Sequence, residues 1–95
     1  MKRNYQLVVI FEPETKAEEK EKLLQNIKKI ISDKGKVKEE KEWGKKELAY
    51  PIRKQRMGIF CWISFEGEPV ILSTLNKKMR IEDKILRYLI VLAKE

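Results

Sequence analysis

The side chains of this sequence that could do chemistry are cations and aromatic rings, and they are concentrated between residues 43 and 65. This stretch, WGKKELAYPIRKQRMGIFCWISF, holds both tryptophans, two of the three phenylalanines and the single cysteine. Aromatic rings can stack on nucleic-acid bases, while lysine and arginine neutralise phosphates. The same rings can also pack in a core or against another protein. The stretch therefore leaves three readings open: nucleic-acid contact, protein contact and internal packing.

Residues that commonly carry catalysis or bind metals are absent or isolated. The sequence has no histidine and only one cysteine, Cys61, so the usual general base and the usual metal ligands are missing. It also contains no glycine-rich loop that could hold a phosphate group. The acidic residues alternate with lysines, a pattern typical of a solvated surface. We predict that the chain is not an enzyme and has no catalytic residue, no metal site and no cofactor.

The composition bounds the size of the chain and the class of its partner. Ninety-five residues predict a single small domain over residues 1–95. The net charge of +7 favours nucleic acid, an anionic membrane or an acidic protein, although a merely solvated Lys/Glu surface would have the same composition. The lone cysteine fits a reducing compartment, and the apolar run LVVIF is too short for a signal peptide or a membrane span. We expect a soluble, cytoplasmic chain.

Hydrophobic periodicity predicts six elements in the order β-α-β-β-α-β. They are strands over 4–11, 36–52, 58–66 and 83–94, a helix over 15–34, and a helix that opens at Glu68-Pro69 with its apolar side from Val70 to Met79. This order predicts the ferredoxin-like α+β fold, a four-stranded antiparallel sheet with two helices on one face.

Short signals refine the ends of these elements. Thr15 followed by Glu18 predicts a capping box at the start of the first helix, and Gly35 is placed to end that helix. In the second strand, Val37 and Trp43 share one parity, whereas Leu48, Tyr50 and Ile52 share the other. A change of parity needs an inserted residue, so we predict a bulge near 44–46 in a long edge strand. A basic turn over 52–58 follows, in which the cations could meet phosphates or only aid solubility.

Alternation along the strands divides their residues between two faces. The face under the helices is predicted to hold Tyr5, Leu7, Val9, Phe11, Ile59, Cys61, Ile63 and Phe65. The opposite face, called the open face below, is predicted to hold Val8, Ile10, Phe60, Trp62, Arg87, Leu89 and Val91. Arg87 decides the assignment of the last strand, because an arginine is rarely buried beneath helices.

The stretch from Trp43 to Phe60 resembles the signature of the bacterial small-subunit ribosomal protein six family. That signature has an aromatic residue or leucine, a glycine, two basic positions, L-A-Y-P-I, a basic turn and a glycine followed by an aromatic residue. The residues that fit it are Trp43, Gly44, Lys45, Lys46, Leu48, Ala49, Tyr50, Pro51, Ile52, Lys54, Gly58 and Phe60. A later segment, LNKKMRIEDKILRYLIV, also resembles the family through Leu75, Arg80, Ile81, Asp83 and Arg87. The resemblance covers essentially the whole chain.

The resemblance implies a structural constituent of the bacterial small (30S) ribosomal subunit. It implies binding to the central domain of 16S ribosomal RNA together with ribosomal protein eighteen, as a heterodimer, without a cofactor, a membrane or a small-molecule substrate. The RNA-binding residues that it implies are Lys2, Arg3 and Arg87, with Lys94 as a candidate for a basic residue that the family often has nearer Val91. The residues implied for the protein partner are Trp43, Lys45, Lys46, Leu48, Tyr50, Pro51, Arg53, Lys54 and Phe60.

Other functions occur on the same fold, and the sequence weighs against two of them. A general single-stranded RNA-binding module of the RNA-recognition-motif type needs a basic-Gly-aromatic-Gly/Ala-aromatic pattern in its third strand, and RMGIFCWISF only echoes it. An acylphosphatase-like or ligand-sensing domain would have a glycine-rich loop early in the chain, and FEPETK is not one. The RNA-recognition-motif type remains the main alternative.

Overall fold

The computed structural model describes residues 2–93 and confirms the predicted order of elements and the ferredoxin-like fold. The elements are β1 (Arg3–Phe11), α1 (Ala17–Lys34), β2 (Gly35–Ile52), β3 (Gln55–Gly67), α2 (Val70–Arg80) and β4 (Ile85–Leu92). The strand order is β2-β3-β1-β4, and all neighbouring strands are antiparallel. β1 and β3 are therefore central, while β2 and β4 form the two edges.

The core lies between the helices and one face of the sheet. All eight residues predicted for this face are buried, and those of β1 and β3 pair directly across the two strands, for example Leu7 with Ile63. The helices cover them with Leu23, Leu24, Ile27 and Ile31 from α1 and Ile71, Leu75 and Met79 from α2. Full burial of one such side chain contributes about 1.5–3 kcal/mol, so this layer is the main source of stability.

The pairing of the edge strand β2 is irregular at three places, two bulges and a break between Glu47 and Ile52, and one of the bulges was predicted. Glu42 pairs with Cys61 and Gly44 with Phe60, so Trp43 is the inserted residue, and Gly44 has the positive φ of 83° that favours glycine. A second irregularity lies between Val37 and Glu39. Because of this extra bulge, Val37 faces the helices while Trp43 lies on the open face, although the two residues share a parity in the sequence.

Ion pairs between α1 and β2 explain why so polar a strand still lies against a helix. Lys20 Nζ is 2.6 Å from Glu42 Oε1, and Lys28 Nζ is 2.7 Å from Glu40 Oε1. Glu40 and Glu42 pair with the buried residues of β3, so they lie on the helix side of the sheet. The charges along β2 therefore have partners within the chain as well as contact with solvent.

The predicted capping box at the start of α1 is wrong. The helix begins at Ala17 with Lys16 as its N-cap, and no side chain caps it. The N–H of Thr15 instead donates to the carbonyl of Glu12 at 3.1 Å, which places Thr15 in a turn before the helix. Its hydroxyl oxygen is buried without a hydrogen-bond partner among the described residues.

Gly35 directly follows the last residue of α1 as predicted, but it does not adopt a left-handed cap. Its φ of −176° and ψ of −154° are extended, and it is already the first residue of β2. A side chain at this position would collide with the main chain of Glu66 and Gly67. The need for glycine here comes from the close approach of β3.

The turn between β2 and β3 is shorter than the predicted basic turn. Ile52 pairs with Gln55, which leaves only Arg53 and Lys54 in the loop, with φ of 49° and 68°. Two positive φ values describe a two-residue hairpin turn. The pairing of the two strands is interrupted between Glu47 and Ile52, so only the pair of Ile52 with Gln55 closes the turn. The last strand is also shorter than predicted, because β4 begins at Ile85 and ends at Leu92.

Candidate functional site

The open face of the sheet has the composition that alternation predicted. Trp62 pairs with Val8, and Val8 pairs with Leu89, so an apolar row crosses the three strands β3, β1 and β4. The next row consists of Phe60, Ile10 and Arg87. Neither helix covers these rows, because the core and both helices lie on the other side of the sheet.

A pair of stacked tryptophans lies at the β2 side of the open face. The ring centroids of Trp43 and Trp62 are 6.5 Å apart with an angle of 14° between the planes. Lys41 Nζ lies 5.5 Å from the centroid of Trp62, and Lys46 Nζ lies 5.6 Å from that of Trp43. Trp43 remains 45% exposed, so this platform of rings and cations can receive an apolar side chain or a nucleic-acid base.

The end of the β2–β3 hairpin, residues 48–54, is called the hairpin tip. Leu48 lies beside Gly58. A Cβ atom added to Gly58 would lie 3.5 Å from Leu48 Cδ2 and only 2.5 Å from Ile10 Cγ2. The absence of a side chain at Gly58 therefore lets the hairpin tip and β1 pack closely. As a result Ile10 is only 9% exposed, although it lies on the open face.

Arg53 ties the hairpin tip to the start of β4. Its Nη1 donates to the carbonyl of Asp83 at 3.0 Å, and its Nη2 donates to the carbonyl of Ile85 at 2.7 Å. The carboxylate of Glu12 is 3.9 Å from Nη1. The guanidinium of Arg53 is thus engaged within the chain, while Lys54 beside it is exposed. The role of both residues toward a partner stays a prediction.

Arg87 and Tyr50 meet at the boundary between the hairpin tip and β4. Arg87 Nη1 donates to the hydroxyl of Tyr50 at 2.7 Å, and its guanidinium carbon lies 5.6 Å from the centre of the Tyr50 ring. Both side chains are exposed. The structure therefore brings together one residue predicted to meet RNA and one predicted to meet a protein.

The other residues predicted to meet RNA lie at the far end of the sheet. Arg87 pairs with Ile10, while Arg3 begins β1, so the two cations are about 24 Å apart along the strand at about 3.4 Å per residue. Lys2 is exposed beside Arg3. The main-chain N–H of Ala93 donates a hydrogen bond to the carbonyl of Asn4 at the same end of the sheet. Lys94 lies outside the described residues.

The remaining residues predicted for the protein partner do not all share one face. Lys46 and Phe60 lie on the open face, whereas Lys45 pairs with the buried Ile59 and therefore lies on the helix side. Pro51 is exposed at the hairpin tip. The site prediction omitted Lys41 and Trp62, although the alternation of β3 had already placed Trp62 on the open face.

The described residues give little support to catalysis. Burial, with a smaller contribution from the nearby carboxylate of Glu42, raises the pKa of the Cys61 thiol from 9.0 to about 11, so the group is a poor nucleophile. The described residues contain no group of three or more histidine, cysteine or acidic side chains that could hold a metal ion. Within residues 2–93, neither helix combines the length and the apolar character needed to cross a membrane.

Comparison with known proteins identifies the family. The family model described as ribosomal protein S6 matches residues 4–92. The chain is 34% identical over 94 residues to a protein of Moorella thermoacetica named small ribosomal subunit protein bS6, covering 98% of this chain and 96% of the relative. The protein of the same name from Desulforamulus reducens is 36% identical over 90 residues, covering 94% of this chain and 95% of the relative.

A solved structure agrees with these sequences. The crystal structure of 30S ribosomal protein S6 from Thermotoga maritima superposes with a TM-score of 0.91 at 28% identity, covering 98% of this chain and 89% of that one. These relatives are ribosomal proteins and not enzymes, in agreement with the non-enzymatic role predicted from the sequence. Bacterial proteins of this kind are cytoplasmic components of the ribosome. The chain belongs to the ribosomal protein S6 family of the small ribosomal subunit.

Proposed function

We propose that this chain binds 16S ribosomal RNA in the central domain of the small subunit, together with ribosomal protein eighteen as a heterodimer. The observation that supports this most directly is the open face. It presents an apolar row and a stacked tryptophan pair, and Arg87 lies at one of its ends. An exposed apolar surface with a charged rim is the usual form of a protein-binding site, and the cations suit phosphates.

The two partners would divide the surface between them. Trp43, Phe60 and Leu89 supply apolar area across the open face, and the free energy falls when another protein removes this area from water. Arg87 lies on the open face, and Arg3 lies on the helix side at the other end of the sheet, so they supply positive charge about 24 Å apart along the strand at about 3.4 Å per residue. Lys2 is exposed beside Arg3. RNA contacts of this type set the position of the chain without reading sequence.

An RNA titration tests the proposal. A junction fragment of the 16S central domain is titrated with this chain, with and without ribosomal protein eighteen, at several salt concentrations. Binding should require both proteins, and Arg87→Ala should reduce the salt dependence by about one phosphate contact. Lys22→Ala, at an exposed position of α1, is the matched control and should leave the salt dependence unchanged. Absence of binding when both proteins are present would overturn the proposal.

The stacked tryptophans also favour a second function, a general single-stranded RNA-binding module of the RNA-recognition-motif type. A base stacked on an aromatic side chain contributes about 1–3 kcal/mol in such modules. If the chain is such a module, it should bind arbitrary single-stranded RNA without ribosomal protein eighteen, and Trp43→Ala should abolish that binding. The heterodimer reading predicts that Trp43→Ala weakens association with the partner protein in the absence of RNA.

A further inference from the structure

The strand β4 is an edge of the sheet whose outer side offers main-chain groups for pairing. The N–H of Ala93 donates to the carbonyl of Asn4 at 2.8 Å, which sets the alternation along the strand. Residues two apart in a strand point their N–H and C=O groups in the same direction. The groups of Leu89 and Val91 therefore face β1. Those of Tyr88, Ile90 and Leu92 point away from the sheet and are called the outward groups below.

The two edges of the sheet differ in how they resist a new strand. β2 carries many lysine and glutamate side chains and two bulges, which are features that discourage pairing with another chain. Residues 88–92 of β4 carry no charge, and Leu89, Val91 and Leu92 are 58%, 42% and 56% exposed. An exposed, apolar, uncharged edge is the kind that accepts an added strand.

A groove runs beside this edge on the helix side of the sheet. It is a cavity of about 430 Å³ between α2 and β4, and Leu72, Asn76, Tyr88, Ile90 and Leu92 are among its lining residues. The hydroxyl of Tyr88 donates to Asn76 Oδ1 at 2.8 Å, which fixes one wall of the groove to the other. The rest of the lining named here is apolar.

The pattern of main-chain donors and acceptors along β4 determines which class of ligand can bind there. Outward N–H and C=O groups at every second residue require a ligand that both donates and accepts at the same spacing, as an extended polypeptide does. An RNA phosphate can only accept, and the main-chain groups of a helix are already bonded within that helix. The groove next to the edge then has room for alternate side chains of the added strand.

A second copy of this chain fits the groove less well than a peptide segment. If two copies paired through β4, each would bring its own Tyr88, Ile90 and Leu92 to the joined sheet. The Tyr88 side chain is already bonded to Asn76 of its own α2, and Ile90 is packed against its own core. These side chains cannot also fill the groove of the other copy.

We propose that an extended segment of a neighbouring small-subunit protein adds to the sheet as a fifth strand along β4. Its main chain pairs with the outward groups of Tyr88, Ile90 and Leu92, and its alternate apolar side chains enter the groove beside Leu72. The proposal rests on the proposed function only in that the segment belongs to a ribosomal protein. It does not depend on the RNA contacts or on the open face.

Overlapping peptides of about ten residues, the length of a long strand, that tile the proteins of the small subunit are the probe. Each is titrated against the full chain, and amide hydrogen exchange is measured in the bound state. At least one peptide should slow the exchange of Tyr88, Ile90 and Leu92, while Leu89 and Val91, whose amides already face β1, should change little. The same three amides should be protected in assembled small subunits.

Leu92 provides a matched pair of variants. Leu92→Pro removes one outward N–H at an exposed position where the edge of a sheet tolerates proline. It should weaken peptide binding at least about tenfold, the effect of losing about 1.4 kcal/mol. Leu92→Ala keeps the N–H and should lose less. If Leu92→Pro does not fold, the exchange of the three outward amides in the unmutated chain still decides the question.

Several results would overturn the proposal. One is that no peptide protects the three outward amides and that these amides exchange as fast in assembled subunits as in the free chain. Another is protection that appears without peptide and grows with protein concentration, which would assign the edge to a second copy. A third is peptide binding that Trp43→Ala abolishes and Leu92→Pro does not, which would place the peptide on the open face. RNA binding that needs Arg87 would persist in each case, so the two proposals fail separately.

Discussion

Replacement of Arg53 by alanine should release the hairpin tip from the start of β4. The guanidinium of Arg53 makes two hydrogen bonds to main-chain carbonyls, one to Asp83 and one to Ile85, and it lies 3.9 Å from the carboxylate of Glu12. The two hydrogen bonds join residues that are 30 and 32 positions apart in the sequence. Alanine removes all of them and leaves the two carbonyls to water.

The size of the effect follows from the exposure of each contact. A hydrogen bond from a charged donor contributes about 1.5–3 kcal/mol, and the part-buried bond to Ile85 belongs in the lower half of that range. The bond to Asp83 is exposed and adds less, while the long ion pair to Glu12 adds about 0–1 kcal/mol. We expect the free energy of unfolding to fall by about 2 kcal/mol, which for a chain of this length lowers the Tm by about 10 °C.

Urea unfolding followed by circular dichroism measures the change, and the adjacent Lys54 supplies the control. Lys54 also has a positive φ, and its side chain is exposed, so Lys54→Ala should change stability by less than about 0.5 kcal/mol. Arg53→Lys keeps the charge but loses the planar pair of donors, so it should recover less than half of the loss. Equal effects of Arg53→Ala and Lys54→Ala would refute the role given to the guanidinium.

Three further predictions concern other parts of the chain. Because burial raises the pKa of Cys61 to about 11, the unfolded chain loses the thiol proton first, so the free energy of unfolding should fall as pH rises from 9.0 toward 11, more steeply than in Cys61→Ala. Gly35→Ala should unfold at clearly lower urea than Gly44→Ala, because a side chain at Gly35 meets main chain while Gly44 has open space and only a positive φ of 83°. Tyr50→Phe should weaken RNA binding in the heterodimer, yet have no further effect when Arg87→Ala is already present.

The assignment of faces could be predicted for three of the four strands. In β1 and β3 one parity is apolar throughout the predicted strand, whereas the other includes polar residues such as Gln6 and Ser64, so parity shows which side meets the helices. Arg87 settles the last strand. β2 has charged residues on both faces, and its parity therefore carries little information. The bulge near Gly44 is marked by a glycine and by aromatic residues around it, whereas the bulge at Lys38 has no such mark and was missed.

The sequence predicts which residues of the candidate site share a face of the sheet, but it does not predict which of their side chains contact one another. Alternation places Phe60 and Trp62 on the open face, and the resemblance to the family supplied the candidates on β2. Nothing in the sequence distinguishes Arg53 from Lys54, because both are cations in the same turn. The difference arises only when the hairpin tip meets Asp83 and Ile85, which is a contact between distant parts of the chain.

The contacts of the hairpin tip imply that the two proposed surfaces act on each other. Arg53 holds the tip against the start of β4, and the same tip presents Tyr50, whose hydroxyl accepts a hydrogen bond from Arg87. A protein that binds the tip therefore restrains the arginine proposed to meet phosphate, and less side-chain entropy remains to be lost when RNA binds. Coupling between two ligands is reciprocal, so RNA bound at Arg87 would strengthen binding of the protein by the same factor. A chain with this contact needs no separate conformational switch to bind RNA and a partner protein cooperatively.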